Sequence, residues 1–231
     1  MVEAGLVETL FPSDYGVMRN NHSLFRLLLA FSLLFTSTMS AAEQSPSPST
    51  AMESASTVVK DFNSALVASM KGGEKLGFEG RYKMLSPVVD KTYDFPFIAR
   101  LSVGSHWASL SPQQKDTLVQ TLKKFTIANY AAEFDRYEGQ KLTVDSTQQL
   151  RPGTDMVKST FVGSRGKNEH TFDYLLHKTD SAWKVINVVV DGVSDLSLKR
   201  SEYTEIIESQ GFGALISKLQ ARIAELSTKN T

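Results

Sequence analysis

The chain has 231 residues, 41% of them apolar, and its 25 Lys and Arg residues balance its 25 Asp and Glu residues. This apolar content excludes disorder throughout and allows a buried core in one large or two small domains. Because there is no basic surplus to bind phosphates, the charge argues against a nucleic-acid partner. The absence of cysteine excludes disulfides, thiolate nucleophiles and cysteine-ligated metal.

An apolar segment near the start of the chain is typical of an export signal. Leu24–Phe35 is apolar apart from two residues, and it leads into a run of small residues that ends at Ala42. Its apolar core is shorter than the roughly 20 residues of a membrane-spanning helix. We therefore expect residues 1–42 to be a signal peptide, with a retained membrane anchor as the alternative. Three acidic residues within 1–17 indicate that Met18 is the true start.

A Ser- and Pro-rich stretch predicts a flexible leader over residues 43–53. We expect one domain over residues 54–226 and a disordered tail over residues 227–231. No internal repeat divides the domain. We expect it to fold as a single unit.

The first half of the domain has the apolar spacing of helices. Stripes at four-residue spacing run from Val58 to Met70 and from Phe78 to Val89, with a break at two glycines between them. Aromatic residues broken by Pro and Gly predict short helical turns over 93–107. Ser111, followed by Pro and by Gln three residues on, predicts the N-cap of a helix that ends near Gly139.

After Gly139 the apolar period changes from about 3.6 to 2, which predicts strands. Short turn-like links between them require antiparallel neighbours, so the sheet is expected to be a meander. In the third strand Phe172, Tyr174 and Leu176 predict an apolar face, and the alternate residues predict a face in contact with water. Helical stripes return over 203–226. The predicted strands are 141–150, 155–163, 169–178 and 182–190.

These elements predict an α+β domain in which N-terminal helices pack over a curved four-stranded antiparallel sheet, with helices again at the C-terminal end. Such an arrangement is able to enclose an apolar pocket between helices and sheet. The sequence alone leaves open whether that space is filled or hollow.

The search for catalytic motifs gives no recognisable site. The three histidines of the domain do not lie at metal-ligand spacing, and residues 163–166 lack the spacing of a nucleophile elbow. Asp173 and Asp191 are candidates for an acid or base if they are buried in a pocket, where burial would raise the pKa of the carboxyl group. The alternative places Asp173 on a solvated face and Asp191 in a turn. We expect no catalytic residue, no metal site and no cofactor.

The order and spacing of several short motifs resemble a known family. The motifs are Tyr93–Arg100 (YDFPFIAR), Gly104 and Trp107, Leu110–Pro112 with Gln114, Trp183–Val185, and Asp191–Ser194 (DGVS). Together, over residues 54–226, they resemble the MlaC or toluene-tolerance family of periplasmic lipid-binding proteins. The segment from Asp191 to Tyr203 is most similar to its hopanoid-associated HpnM branch.

The resemblance implies an NTF2-like cone and a periplasmic carrier that moves one membrane lipid between the inner and outer membranes. Its cargo would be a hopanoid or a glycerophospholipid, shielded in the pocket, and its partners would be the lipid-transport complexes of both membranes. Burying hydrocarbon stabilises the complex by roughly 0.8 kcal/mol per CH₂, so a carrier makes passage through water feasible. Basic residues at 123, 124, 199 and 200 are candidates for docking, with ordinary solvated charge as the alternative.

The family pattern also implies which elements form the pocket wall, namely the middle helices and the apolar face of the sheet. The residues expected to bind lipid are Phe95, Phe97, Ile98, Leu101, Trp107, Leu122, Phe125, Tyr130, Phe161, Phe172, Tyr174, Trp183 and Val185.

Two other functions remain open at this point. An enzyme on a related cone-shaped fold requires a buried carboxylate or histidine at the pocket base. A structural or adaptor protein requires a filled core, with no cavity above a few hundred Å³.

Overall fold

The computed structural model describes residues 53–163 and 169–228. The predicted signal peptide, the leader before residue 53, the turn at 164–168 and residues 229–231 of the predicted tail lie outside the described residues. Within the two described ranges, no helix combines the length and the apolar character needed to cross a membrane.

Between residues 53 and 228, the described part of the chain has five α-helices and one 3-10 helix flanking the sheet. Three of the α-helices precede the sheet and two follow it, which is the α+β order that the sequence predicts. The helices are α1 Ala55–Thr92, α2 Phe95–Ser102, a 3-10 helix Gly104–Ser109, α3 Pro112–Glu133, α4 Asp195–Gln210 and α5 Phe212–Thr228.

Helix α1 is broken where the sequence predicts a break. Gly73 and Gly77 have φ angles of 45° and 58°, a region that residues with a Cβ rarely adopt. The buried Arg81 ties this break to the end of α3, because its Nε donates to the carbonyl of Ala131 at 2.7 Å and its Nη1 donates to that of Gly73 at 3.0 Å. The cation also lies at the negative end of the α3 dipole.

Helix α3 begins as predicted but ends early. Ser111 Oγ accepts a 3.2 Å hydrogen bond from the Gln114 amide, and Gln114 Oε1 accepts a 2.9 Å bond from the Ser111 amide, which completes a capping box. The expected end near Gly139 is wrong, since α3 ends at Glu133. The reason is tertiary: Phe134 leaves the helical conformation, and its carbonyl accepts a hydrogen bond from Ser69 of α1.

The sheet is antiparallel and takes its strands in chain order, as predicted, but it has five strands among the described residues instead of four. The extra strand follows Asp191 and Gly192, whose φ angles of 50° and 82° suit a two-residue hairpin turn. The closed cone of an NTF2-like fold stays a prediction. The strands are β1 Lys141–Arg151, β2 Thr154–Val162, β3 Glu169–Lys178, β4 Trp183–Val190 and β5 Val193–Ser194.

The face of the sheet toward the helices carries the core. Tyr174 and Leu176 are almost fully buried there, and the Phe62 ring of α1 meets the Tyr174 ring edge-on at 6.1 Å. The prediction that the other face is uniformly wet is wrong. Leu175 and Met156 are paired on that face and are 4% and 8% exposed.

Candidate ligand pocket

A cavity of about 640 Å³ lies between α3, the sheet and the start of α4. This volume is within the range of roughly 300–1,000 Å³ that is usual for ligand pockets. Leu122, Phe125 and Tyr130 line the cavity from α3. Phe125 and Tyr130 follow Leu122 by three and eight positions, spacings that keep all three on one side of a helix. The opposite wall comes from the inner face of the sheet, through Phe161, Phe172, Val188 and Val190.

Six of the thirteen residues expected to bind lipid line this cavity. The aromatic members from the sheet are in contact: the Phe161 and Phe172 rings are 6.5 Å apart, edge to face. The six are Ile98, Leu122, Phe125, Tyr130, Phe161 and Phe172.

The other seven expected residues lie elsewhere. Tyr174 and Val185 are core residues, with exposures of 1% and 0%. Phe95 is buried against the Tyr93 ring, and it lines a second cleft of about 360 Å³. Phe97 packs on the His177 ring at 4.8 Å. The last three, Leu101, Trp107 and Trp183, are half-buried outside the cavity lining.

Several lining residues were missed by the sequence interpretation. Val188 pairs with Tyr174 and Val190 pairs with Phe172, so the period-2 pattern of the fourth strand already carried their signal. Phe134 had a weaker signal, four residues after Tyr130. Met70 had none, because only the fold brings α1 to this side of the pocket.

Two tyrosines form a paired polar feature in this apolar lining. The hydroxyl oxygens of Tyr93 and Tyr130 are 2.5 Å apart, and the Phe62 ring meets both tyrosine rings edge-on, at 5.6 and 5.0 Å. Burial raises the pKa of Tyr93 well above its ordinary value, with a further contribution from Tyr130. Burial likewise raises the pKa of Tyr130. Both side chains are therefore neutral at physiological pH.

Most charged residues of the lining are exposed and form its rim. Glu133, Arg136 and Glu138 are exposed, and Lys199 forms an ion pair with Asp195. The Lys199 ammonium also lies 5.9 Å from the centre of the Phe125 ring, a distance at which cation–π attraction operates. The rim is thus polar and of mixed charge, whereas the interior is mainly apolar.

A contact between His170 and Asp191 lies beside the rim. His170 lines the pocket, and its Nδ1 is 2.7 Å from Oδ2 of Asp191. Oδ1 of Asp191 accepts a 2.8 Å hydrogen bond from the Thr171 amide. The hydrogen bond with His170, followed by that from Thr171, lowers the pKa of Asp191. Asp191 is therefore ionised at physiological pH.

Neither candidate acid or base is part of the pocket lining. The Asp191 side chain is 48% exposed in the turn after β4. Asp173 lies between Phe172 and Tyr174 on β3, so it points to the opposite face of the sheet, and burial raises the pKa of its carboxyl group. The lining carboxylates are Glu133, Asp135, Glu138 and Asp195.

Comparison with known proteins finds relatives by sequence and by structure. A curated relative, the intermembrane phospholipid transport system binding protein MlaC of Haemophilus influenzae, is 25% identical over 121 residues. That match covers 51% of this chain and 56% of the relative, so the chain spans about half the length of the curated protein.

A solved structure has the same fold. It is the phospholipid-binding protein from Ralstonia solanacearum in complex with a phospholipid, with a TM-score of 0.65 and 20% identity. The likeness covers 74% of this chain and 97% of the other. The family profile described as MlaC protein matches residues 60–221, well over half of the chain. The chain therefore belongs to the MlaC family.

Proposed function

We propose that this protein is a periplasmic lipid carrier that holds one membrane lipid in the pocket and moves it between the inner and outer membranes. The observation that carries this proposal is the cavity of about 640 Å³ with an aromatic and aliphatic lining and a charged rim. Such a cavity shields hydrocarbon from water and leaves a polar headgroup at the surface.

Two lipids are proposed as the cargo, a phospholipid and a hopanoid. A phospholipid is supported by the family membership and by the phospholipid bound in the structurally similar Ralstonia protein. A hopanoid is supported by the resemblance of the segment Asp191–Tyr203 to the HpnM branch. The mixed charge of the rim, with Arg136 and Lys199 among four carboxylates, suits a zwitterionic headgroup. Phospholipid is therefore the cargo we propose first.

A carrier needs no catalytic group, and the geometry favours a carrier over the two alternatives. An enzyme would need a buried carboxylate or histidine in the pocket, but Asp173 and Asp191 lie outside its lining. None of the four lining carboxylates is buried, and the side chain of His170, which lines the pocket, is 46% exposed. An adaptor with a filled core does not account for the cavity. Delivery requires docking to membrane complexes, for which the exposed Lys124 and the half-buried Arg200 remain candidates.

The test is native mass spectrometry, followed by organic extraction, on protein purified from the periplasm of its own host. We expect one lipid per chain, identified as a phospholipid. A bound hopanoid would support the carrier function and assign the protein to the HpnM branch. Protein that is repeatedly empty, under conditions in which a known MlaC stays loaded, would contradict the carrier function.

A further inference from the structure

Tyr93 lines two cavities. It belongs to the lining of the main pocket and also to that of the second cleft, which Phe95, Val119 and Lys123 line from the other side. Only 7% of its surface is exposed. The Tyr93 ring is therefore part of the wall between the two spaces.

Backbone hydrogen bonds and ring stacking hold this wall in place. The Tyr93 amide donates to the carbonyl of Val89, and the next amide, that of Asp94, donates to the carbonyl of Val185, each at 3.0 Å. The Phe95 ring stacks on the Tyr93 ring at 5.7 Å from the cleft side. Backbone and ring are thus both restrained, and displacing the ring would disturb α1, α2 and β4 together.

Tyr130 completes the wall from α3. Its hydroxyl is 2.5 Å from that of Tyr93, so each oxygen has a partner inside a mainly apolar lining. An apolar chain end therefore contacts this wall without stripping water from an unpaired polar group, which would be unfavourable. The two rings present a surface suited to the end of a hydrocarbon chain.

We propose that Tyr93 and Tyr130 form the closed inner end of the lipid pocket, and that the Tyr93 ring limits the length of hydrocarbon chain that the pocket accepts. This inference rests on the proposed function. Each CH₂ that no longer fits stays in water, which lowers affinity about fourfold. Removing the ring would join the pocket to the cleft beyond it and so admit a longer chain.

The test is a competition among chain lengths. The delipidated full chain is incubated with an equimolar mixture of phosphatidylethanolamines with saturated chains from myristoyl to arachidoyl, and native mass spectrometry measures each bound species. We expect Tyr93→Ala to raise the bound ratio of the longest to the shortest lipid at least about tenfold over wild type, since about two CH₂ groups are newly buried.

Val119→Ala is the matched control, because it enlarges the cleft and leaves the wall in place. A wild-type ratio in Val119→Ala, with the shift confined to Tyr93→Ala, would support the wall. An unchanged ratio in a folded Tyr93→Ala protein, or an equal shift in Val119→Ala, would overturn it. If Tyr93→Ala does not fold by circular dichroism, Tyr130→Ala removes the other ring at the inner end of the pocket and is judged by the same ratios.

Failure of the proposed function gives a different result. Wild-type protein that takes up none of these lipids, and none from its own host, would contradict the carrier itself. The wild-type and Tyr93→Ala proteins could instead both bind these lipids with no dependence on chain length. That result would support the carrier function and contradict the role of Tyr93 in limiting chain length.

Discussion

The Phe172 ring lies parallel to the Tyr174 ring, with centroids 6.3 Å apart and planes 19° apart, yet only Phe172 lines the pocket. Tyr174 is 1% exposed, and its hydroxyl donates to Oδ1 of Asn63 on α1 at 3.4 Å. Two residues on the same face of one strand thus differ in depth. The first lies at the boundary of the pocket and the second lies within the core.

Phe172→Asp is expected to abolish lipid binding in a folded protein, because it places a carboxylate in the apolar lining. Lipid that co-purifies, counted by native mass spectrometry, is the measurement. Gln148→Asp adds the same charge at an exposed position of β1 and should stay loaded. Unchanged lipid content in a folded Phe172→Asp protein would count against this wall. Tyr174→Asp is expected to unfold the protein and so does not test the pocket.

Leu176→Ala is expected to lower the free energy of unfolding by about 2–5 kcal/mol, since Leu176 has no exposed surface and its truncation leaves a cavity. Urea denaturation measures the change in the free energy of unfolding, provided that its dependence on urea concentration is the same in both proteins. Leu198→Ala makes the same chemical change at a residue that is 61% exposed, and we expect less than about 0.5 kcal/mol. Equal effects of the two substitutions would refute the burial that the fold assigns to Leu176.

Ser111→Ala removes the acceptor for the Gln114 amide and is expected to destabilise the protein by about 1 kcal/mol. Thermal or urea unfolding gives the value. Gln113→Ala is the neighbouring control, because its exposed side chain has no part in the capping box. A Ser111→Ala protein as stable as Gln113→Ala would show that the cap contributes nothing to the stability of α3.

Alkaline pH is expected to unfold the protein. Burial raises the pKa of Tyr93, Tyr130, Tyr174 and Tyr203 in the folded state. Because unfolded tyrosine ionises near pH ~10, stability is fully present below that pH and is lost as the pH rises above it. Above pH ~10, each such tyrosine lowers the free energy of unfolding by about 1.4 kcal/mol per pH unit.

The measurement is the ultraviolet absorbance of phenolate, followed together with circular dichroism through the alkaline range. We expect the four phenols to ionise only as the secondary structure is lost. Tyr203→Phe removes one of these groups and should reduce the slope of unfolding free energy against pH by about one quarter. Complete phenolate formation in a protein that keeps its folded spectrum would contradict the burial of these side chains.

The sequence by itself determined the order and type of the elements. The capping box at Ser111, the glycine break in α1 and the period-2 pattern after residue 140 are local signals, set by hydrogen bonds and side-chain spacing within a few residues. They predicted an antiparallel sheet after the first helices. The family also followed from sequence, since its motifs depend on residue identity and order.

Only the tertiary structure decided how deeply each side chain is buried and where the elements end. Periodicity places Phe172 and Tyr174 on one face but carries no information on which of them Phe62 covers, because that depends on a helix more than a hundred positions away. The same holds for the end of α3 at Phe134, whose carbonyl accepts a hydrogen bond from Ser69. Pocket membership depends on which surfaces long-range packing leaves uncovered, and local pattern does not encode that.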